Sequence, residues 1–173
     1  EKAIWRSSSN LKPRYPIFII SKGRPQCTTA RTLDFMGIND YRIVVEPSER
    51  DKYRSKWGDK VLVGDFDTTT RSSIPARNWV DDFCNSEKYW LLDDNINYVR
   101  NTRVYSISLM DKAMNDRIKI NGELWRGRYN EDTDLNIRFL KAGYCTVNFQ
   151  MFNGDKSTTQ RCKGGNTDSV YVD

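Results

Sequence analysis

Apolar runs of strand length alternate with segments of helical period through the first half of the chain. No other feature restricts the fold as much. Pro16-Ile17-Phe18-Ile19-Ile20 is apolar at every position, which predicts a strand buried on both faces. Residues 28–36 follow with Ala30, Leu33 and Met36 on one helical face and Gly37 as the stop. Residues 41–45 predict a second strand, 48–57 a charged helix, and 61–63 a short third strand. Residues 74–85 predict a helix with Ala76, Val80 and Phe83 as its buried stripe; Ser73 can cap it and Pro75 suits its first turn. Repetition of strand and helix in this order predicts a parallel, Rossmann-like sheet.

The next strand carries the chemistry. Tyr89-Trp90-Leu91-Leu92 stops abruptly at Asp93-Asp94-Asn95. Ligands bind at the C-terminal edge of such strands. Adjacent oxygen-bearing side chains there can hold a hard divalent cation, and the cation a diphosphate. An ordinary polar turn is the competing reading.

The second half is less regular. Residues 104–109 alternate like a half-buried strand, 111–117 are weakly helical, and 118–122 resemble a strand and turn. Asn130 is placed to cap a helix that runs to Ala142-Gly143, with Glu131, Asp132 and Asp134 in its first turn. Carboxylates there gain about 0.3–1 kcal/mol each from the helix dipole, which is the alternative to a catalytic role. Residues 145–149 predict a further strand, and 163–167 a polar loop. Residues 1–15 form a basic leader, and 16–173 a single domain.

Composition narrows the chemistry. The 173 residues include no histidine, which excludes an imidazole base and His-rich zinc sites. A metal here would be oxygen-bound, favouring Mn²⁺ or Mg²⁺. Cys27, Cys84, Cys145 and Cys162 lack zinc-ligand or redox spacing and read as free thiols of a reducing compartment. No spaced-glycine fingerprint follows the first strand and no Walker loop is present, which argues against a dinucleotide-dependent oxidoreductase. No apolar run approaches the ~20 residues of a membrane span, so no membrane partner is expected. The net charge of +5 permits a polyanionic partner.

Three segments, in order, resemble glycosyltransferases of the GT-A fold: Ala76-Arg77-Asn78, Leu91-Leu92-Asp93-Asp94-Asn95, and Asn130-Glu131-Asp132-Thr133-Asp134. A nearer resemblance is to the phage TET-associated glycosyltransferases. It rests on residues 16–24, 90–96, Arg126-Gly127-Arg128-Tyr129 with the acidic segment after them, and Lys163-Gly164-Gly165-Asn166-Thr167. It covers most of residues 15–170. This likeness implies an α/β, GT-A (Rossmann-like) fold: a mixed, mainly parallel sheet flanked by helices in one domain. It implies transfer of a sugar from a nucleotide-sugar donor, a UDP-sugar, to hydroxymethylated cytosine in phage DNA. The location would be the cytoplasm, that of the host bacterium if the chain is phage-encoded.

On that reading Ser21, Arg24, Glu46, Arg77 and Asp93 bind the donor, and Asp93, Asp94 and Asn95 hold the metal. Asp132 is the general base, with Glu131 as second candidate. Arg126, Arg128, Lys156, Arg161 and Lys163 form the rim that meets DNA. The chain departs from the GT-A pattern in three places. Asn95 stands where the fold often has Asp, only 35 residues separate Asn95 from Glu131, and no C-terminal histidine is available to the metal. Two alternatives remain: a transferase acting on an envelope glycan or protein, and a non-catalytic nucleic-acid-binding domain on a degenerate GT-A fold.

Overall fold

A computed structural model of the chain describes residues 12–98, 107–127, 130–146 and 154–156. The elements are β1 (Ile17–Ile20), α1 (Thr28–Phe35), β2 (Arg42–Val45), α2 (Arg50–Trp57), β3 (Val61–Val63), α3 (Ile74–Phe83) and β4 (Lys88–Asp93). Then follow β5 (Ile96–Tyr98), β6 (Ile107–Asp111), α4 (Lys112–Ile118), α5 (Glu131–Lys141) and β7 (Gly154–Lys156). Five strands form one sheet in the order β3-β2-β1-β4-β6, and β5 pairs with β7 in a second, two-stranded sheet. Strands β1 to β4 run parallel, and β6 joins β4 antiparallel. This is the mixed, mainly parallel sheet flanked by helices that the sequence implied.

The continuous apolar runs follow from cover on both faces. Phe18, Ile20, Val44 and Leu91 pack with Ala76 and Val80 of α3 and with Trp125 and Leu135. Ile17, Ile19, Ile43 and Val45 pack on the other face with Ala30 and Leu33 of α1 and Tyr53 of α2. Burying each such aliphatic side chain contributes about 1.5–3 kcal/mol, so alternation with polar residues would weaken both layers.

Register fixes what shares the functional edge. Ile20 pairs with both Val44 and Asp93. The residues just past β1 and β2, Ser21 and Glu46, therefore lie near the end of β4.

Five local expectations change. Phe83, expected in the buried stripe of α3, is the helix's last residue and 47% exposed. Ser73 makes no side-chain cap to α3; its Oγ accepts from Arg77 Nε at 3.3 Å. Asn130 caps α5 in position only, in the left-handed region at φ 56 and with no side-chain hydrogen bond. Ile118 is not in a strand; it ends α4 because its side chain reaches the core, and Ile120 makes an isolated bridge to Glu123 across the turn. Cys145 and Thr146 are not in a strand, and 147–149 lie outside the described residues. Among the described residues no helix is long and apolar enough to cross a membrane.

Candidate active site

The acidic turn after β4 divides its side chains between two sides. Asp94 is only 4% exposed and faces the β1–α1 loop. It accepts from Ser21 Oγ at 2.5 Å and from Arg24 Nη1 at 2.9 Å. Ser21 Oγ also lies 2.6 Å from the Tyr53 hydroxyl, which accepts from the Arg24 backbone N–H at 2.9 Å. Burial pushes the Asp94 carboxyl upward, against the opposing pull of Arg24 and Ser21. Thr29 stitches the same turn to α1: its Oγ1 donates to the Asp93 carbonyl at 2.6 Å and accepts from Ile96 N–H at 2.8 Å. Ser21 and Arg24 therefore reach the acidic turn, and there they brace the loop through Asp94 and Tyr53.

Glu46, just past β2, is 7% exposed. It accepts from Ser48 Oγ at 2.6 Å and from Thr68 N–H at 3.1 Å, and Lys22 Nζ lies 3.1 Å from it. Burial disfavours its charge, but the hydrogen bonds from Ser48, Thr68 and Lys22 outweigh that and hold the carboxyl down at about 2. It organises the 65–73 loop over the sheet edge and carries Lys22 beside it.

Arg77 is the junction of the site. Its Nη2 lies 3.0 Å from Asp93 Oδ1, and its Nε lies 3.9 Å from Glu131 Oε1. The guanidinium also sits 4.6 Å from the centre of the Trp125 ring. Arg77 does not pair with Asp81, four residues further along the same helix. Asp81 is fully buried and is held by Tyr89, Asn115 and Lys119. Glu131, rather than Asp132, faces this junction: Asp132 is exposed and its Oδ1 accepts from the N–H of Thr133 at 2.8 Å.

The sequence model of the family described as TET-Associated Glycosyltransferase matches residues 15–117, more than half of the chain. The chain belongs to that family. That family's description is of a glycosyltransferase. The matched segment runs from β1 through α4, so it includes Asp93 and Arg77 and stops before Glu131. The chain is also similar in part to the inositol-1-phosphate CTP transferase from T. maritima. That likeness has a TM-score of 0.36 and 13% identity, over 48% of this chain and 44% of that one. It thus spans less than half of the T. maritima enzyme. No curated protein matches the chain.

The oxygen set at the acidic turn fits a cation bound jointly with a substrate, not a closed all-protein site. Among the described residues no group of three His, Cys, Asp or Glu side chains could hold a metal. Asp94 is engaged with the loop, so a cation would draw on the Asn95 amide and on Asp93, which it would share with Arg77. Asn95 Oδ1 is buried with no hydrogen-bond partner. Magnesium-like ions are commonly held by one or two carboxylates, substrate phosphates and waters, so this donor set suffices.

Of the expected basic rim, Arg126 is described with its side chain, and it pairs with Asp134 at 2.8 Å. Lys156 is placed by its backbone opposite Ile96, beside the acidic turn. Arg128, Arg161 and Lys163 lie outside the described residues. Sequence reasoning missed Lys22, Thr29, Tyr53, Thr68 and Trp125 as parts of the site. Their only signal was position on loops and first turns at the sheet's C-terminal edge.

Proposed function

We propose that this enzyme transfers a sugar from a UDP-sugar to the hydroxymethyl group of modified cytosine in phage DNA. The observation that carries the reading is the meeting of Asp93, Arg77 and Glu131 at the C-terminal edge of a parallel sheet. The donor nucleoside lies over the loop braced by Ser21, Arg24 and Asp94 and the one braced by Glu46. Asp93 and Asn95 hold Mn²⁺ or Mg²⁺; when bound, the ion neutralises charge on the donor diphosphate. Arg77 faces the same diphosphate and stabilises the charge that develops as the bond from the sugar's anomeric carbon to the phosphate oxygen breaks. The acceptor hydroxyl attacks that carbon, and Glu131 takes its proton; Asp132 is the alternative base. A positioned base contributes about 10²–10⁴-fold.

Support for the DNA acceptor comes from family membership and from the net charge of +5. Donor binding supplies the first test. Titration of UDP-glucose by calorimetry should reveal tight binding only with Mn²⁺ or Mg²⁺ present, and Asp93→Asn should abolish the metal's effect. Metal-independent binding unchanged by Asp93→Asn would count against this arrangement. DNA affinity should fall steeply with salt if the basic residues contact phosphates, and barely change if they are a solvated face.

A further inference from the structure

Asn78 stands next to Arg77 on α3 and has no part in the chemistry above, yet its amide is used twice. Its Nδ2 donates to the Trp125 carbonyl at 3.0 Å, and its Oδ1 accepts from the Trp125 N–H at 2.8 Å. This reciprocal pair resembles a peptide group bonding to a neighbouring strand, and it assigns the amide orientation. It fixes one residue of a short strap, 124–126, against α3.

The same strap is tied to α5 on its other side. Arg138 donates to the Leu124 carbonyl and, at 2.9 Å, to the carbonyl of Ile118. Arg126 Nη2 meets Asp134 at 2.8 Å, and Asp134 in turn meets Arg138 at 2.9 Å. Trp125 itself is 2% exposed and lies under the Arg77 guanidinium. A continuous set of contacts thus runs from Asn78 through the strap to α5, whose first residue is Glu131.

We propose that Asn78 is a positioning residue: through Trp125 it sets the separation between the donor side of the site, at Asp93, and the proton-accepting side, at Glu131. The kinetic consequence rests on the function proposed above. A displaced base slows transfer while leaving the donor's own contacts in place, and a shift of about 1 Å can cost about 10²-fold.

Asn78→Ala removes both bonds, and the near-isosteric Asn78→Asp keeps the acceptor for Trp125 N–H but loses the donor. We expect kcat to fall roughly 10–100-fold in Asn78→Ala and less in Asn78→Asp, with donor KM within about twofold of the parent. Amide hydrogen exchange in the first turn of α5, residues 131–134, should speed up in both variants. Unchanged exchange there, or a loss of donor affinity in step with kcat, overturns the proposal. If the parent enzyme transfers no sugar, the functional reading fails, and hydrogen exchange still decides the role of Asn78.

Discussion

A single guanidinium, that of Arg77, joins the end of β4 to the first turn of α5, 3.0 Å from Asp93 and 3.9 Å from Glu131. Arg77 is 9% exposed, so its charge acts in a region of reduced dielectric. Arg77→Ala should lower kcat by about 10²–10³-fold, the typical cost of removing one donor aimed at developing charge. Arg77→Lys should recover only part of that, because a point charge cannot stack on Trp125 and reach both carboxylates. Steady-state kinetics on the two variants checks this; full activity in Arg77→Lys would contradict it.

Asp93 and Asp94 are neighbours with different work. Asp94→Asn removes a charge-assisted bond worth about 1.5–3 kcal/mol, so donor KM should rise roughly tenfold or more while metal affinity stays unchanged. Asp93→Asn should weaken metal-dependent donor binding. Manganese titration followed by electron paramagnetic resonance separates the two, and equal losses of metal affinity in both variants would refute the division.

Asp81 predicts a purely structural effect. It is fully buried, with Lys119 at 2.9 Å and with Tyr89 and Asn115 each at 2.8 Å. Asp81→Ala leaves the Tyr89 hydroxyl and the Asn115 amide without their buried acceptor, each costing about 1–3 kcal/mol, while Lys119 keeps Asp82 and Asp116. Chemical denaturation measures this, and UDP-sugar affinity of the remaining folded protein should match the parent's.

Glu46 makes stability fall in acid. In the unfolded chain it takes up a proton near its ordinary value of 4.5, but in the fold only near about 2. Its stabilising contribution is therefore complete above about 4.5, declines as the pH drops through that window, and is gone below about 2. Melting temperature against pH should lose this component of its slope in Glu46→Gln. An identical slope in the variant would show that other carboxylates carry it.

The sheet was legible because β1, β2, β3 and β4 each carry an apolar run, and only a strand covered on both faces needs Ile17, Phe18, Ile19 and Ile20 all apolar. Helix α3 could be read from Ala76 and Val80 for the same reason. The alternation over 104–109 announced part of β6, but not its antiparallel pairing with β4, which depends on a partner that no local period announces. Which of two adjacent carboxylates turns inward was also hidden. Asp93 and Asp94 differ only in which side of the turn they leave, and Tyr53, Ser21 and Arg24, far away in sequence, decide it. The preference for Glu131 over Asp132 at the junction depends likewise on the rotation of α5, which Arg138 and Asp134 set through the strap. The motifs pointed to the turn after β4 and the first turn of α5, and long-range packing decided which side chains meet there.

The most direct measurement is transfer itself. The enzyme is incubated with Mn²⁺ and a panel of nucleotide sugars, together with duplex DNA that carries or lacks hydroxymethylcytosine. The DNA is then digested to nucleosides and analysed by mass spectrometry. The account predicts a gain of one sugar mass on hydroxymethylcytosine alone, strongest from a UDP-sugar and abolished by Asp93→Ala and by Glu131→Gln. No sugar on any nucleoside, with the donor cleaved in the same tube, would contradict the DNA acceptor. Full transfer by Glu131→Gln, with loss in Asp132→Asn, would move the base to the neighbouring carboxylate.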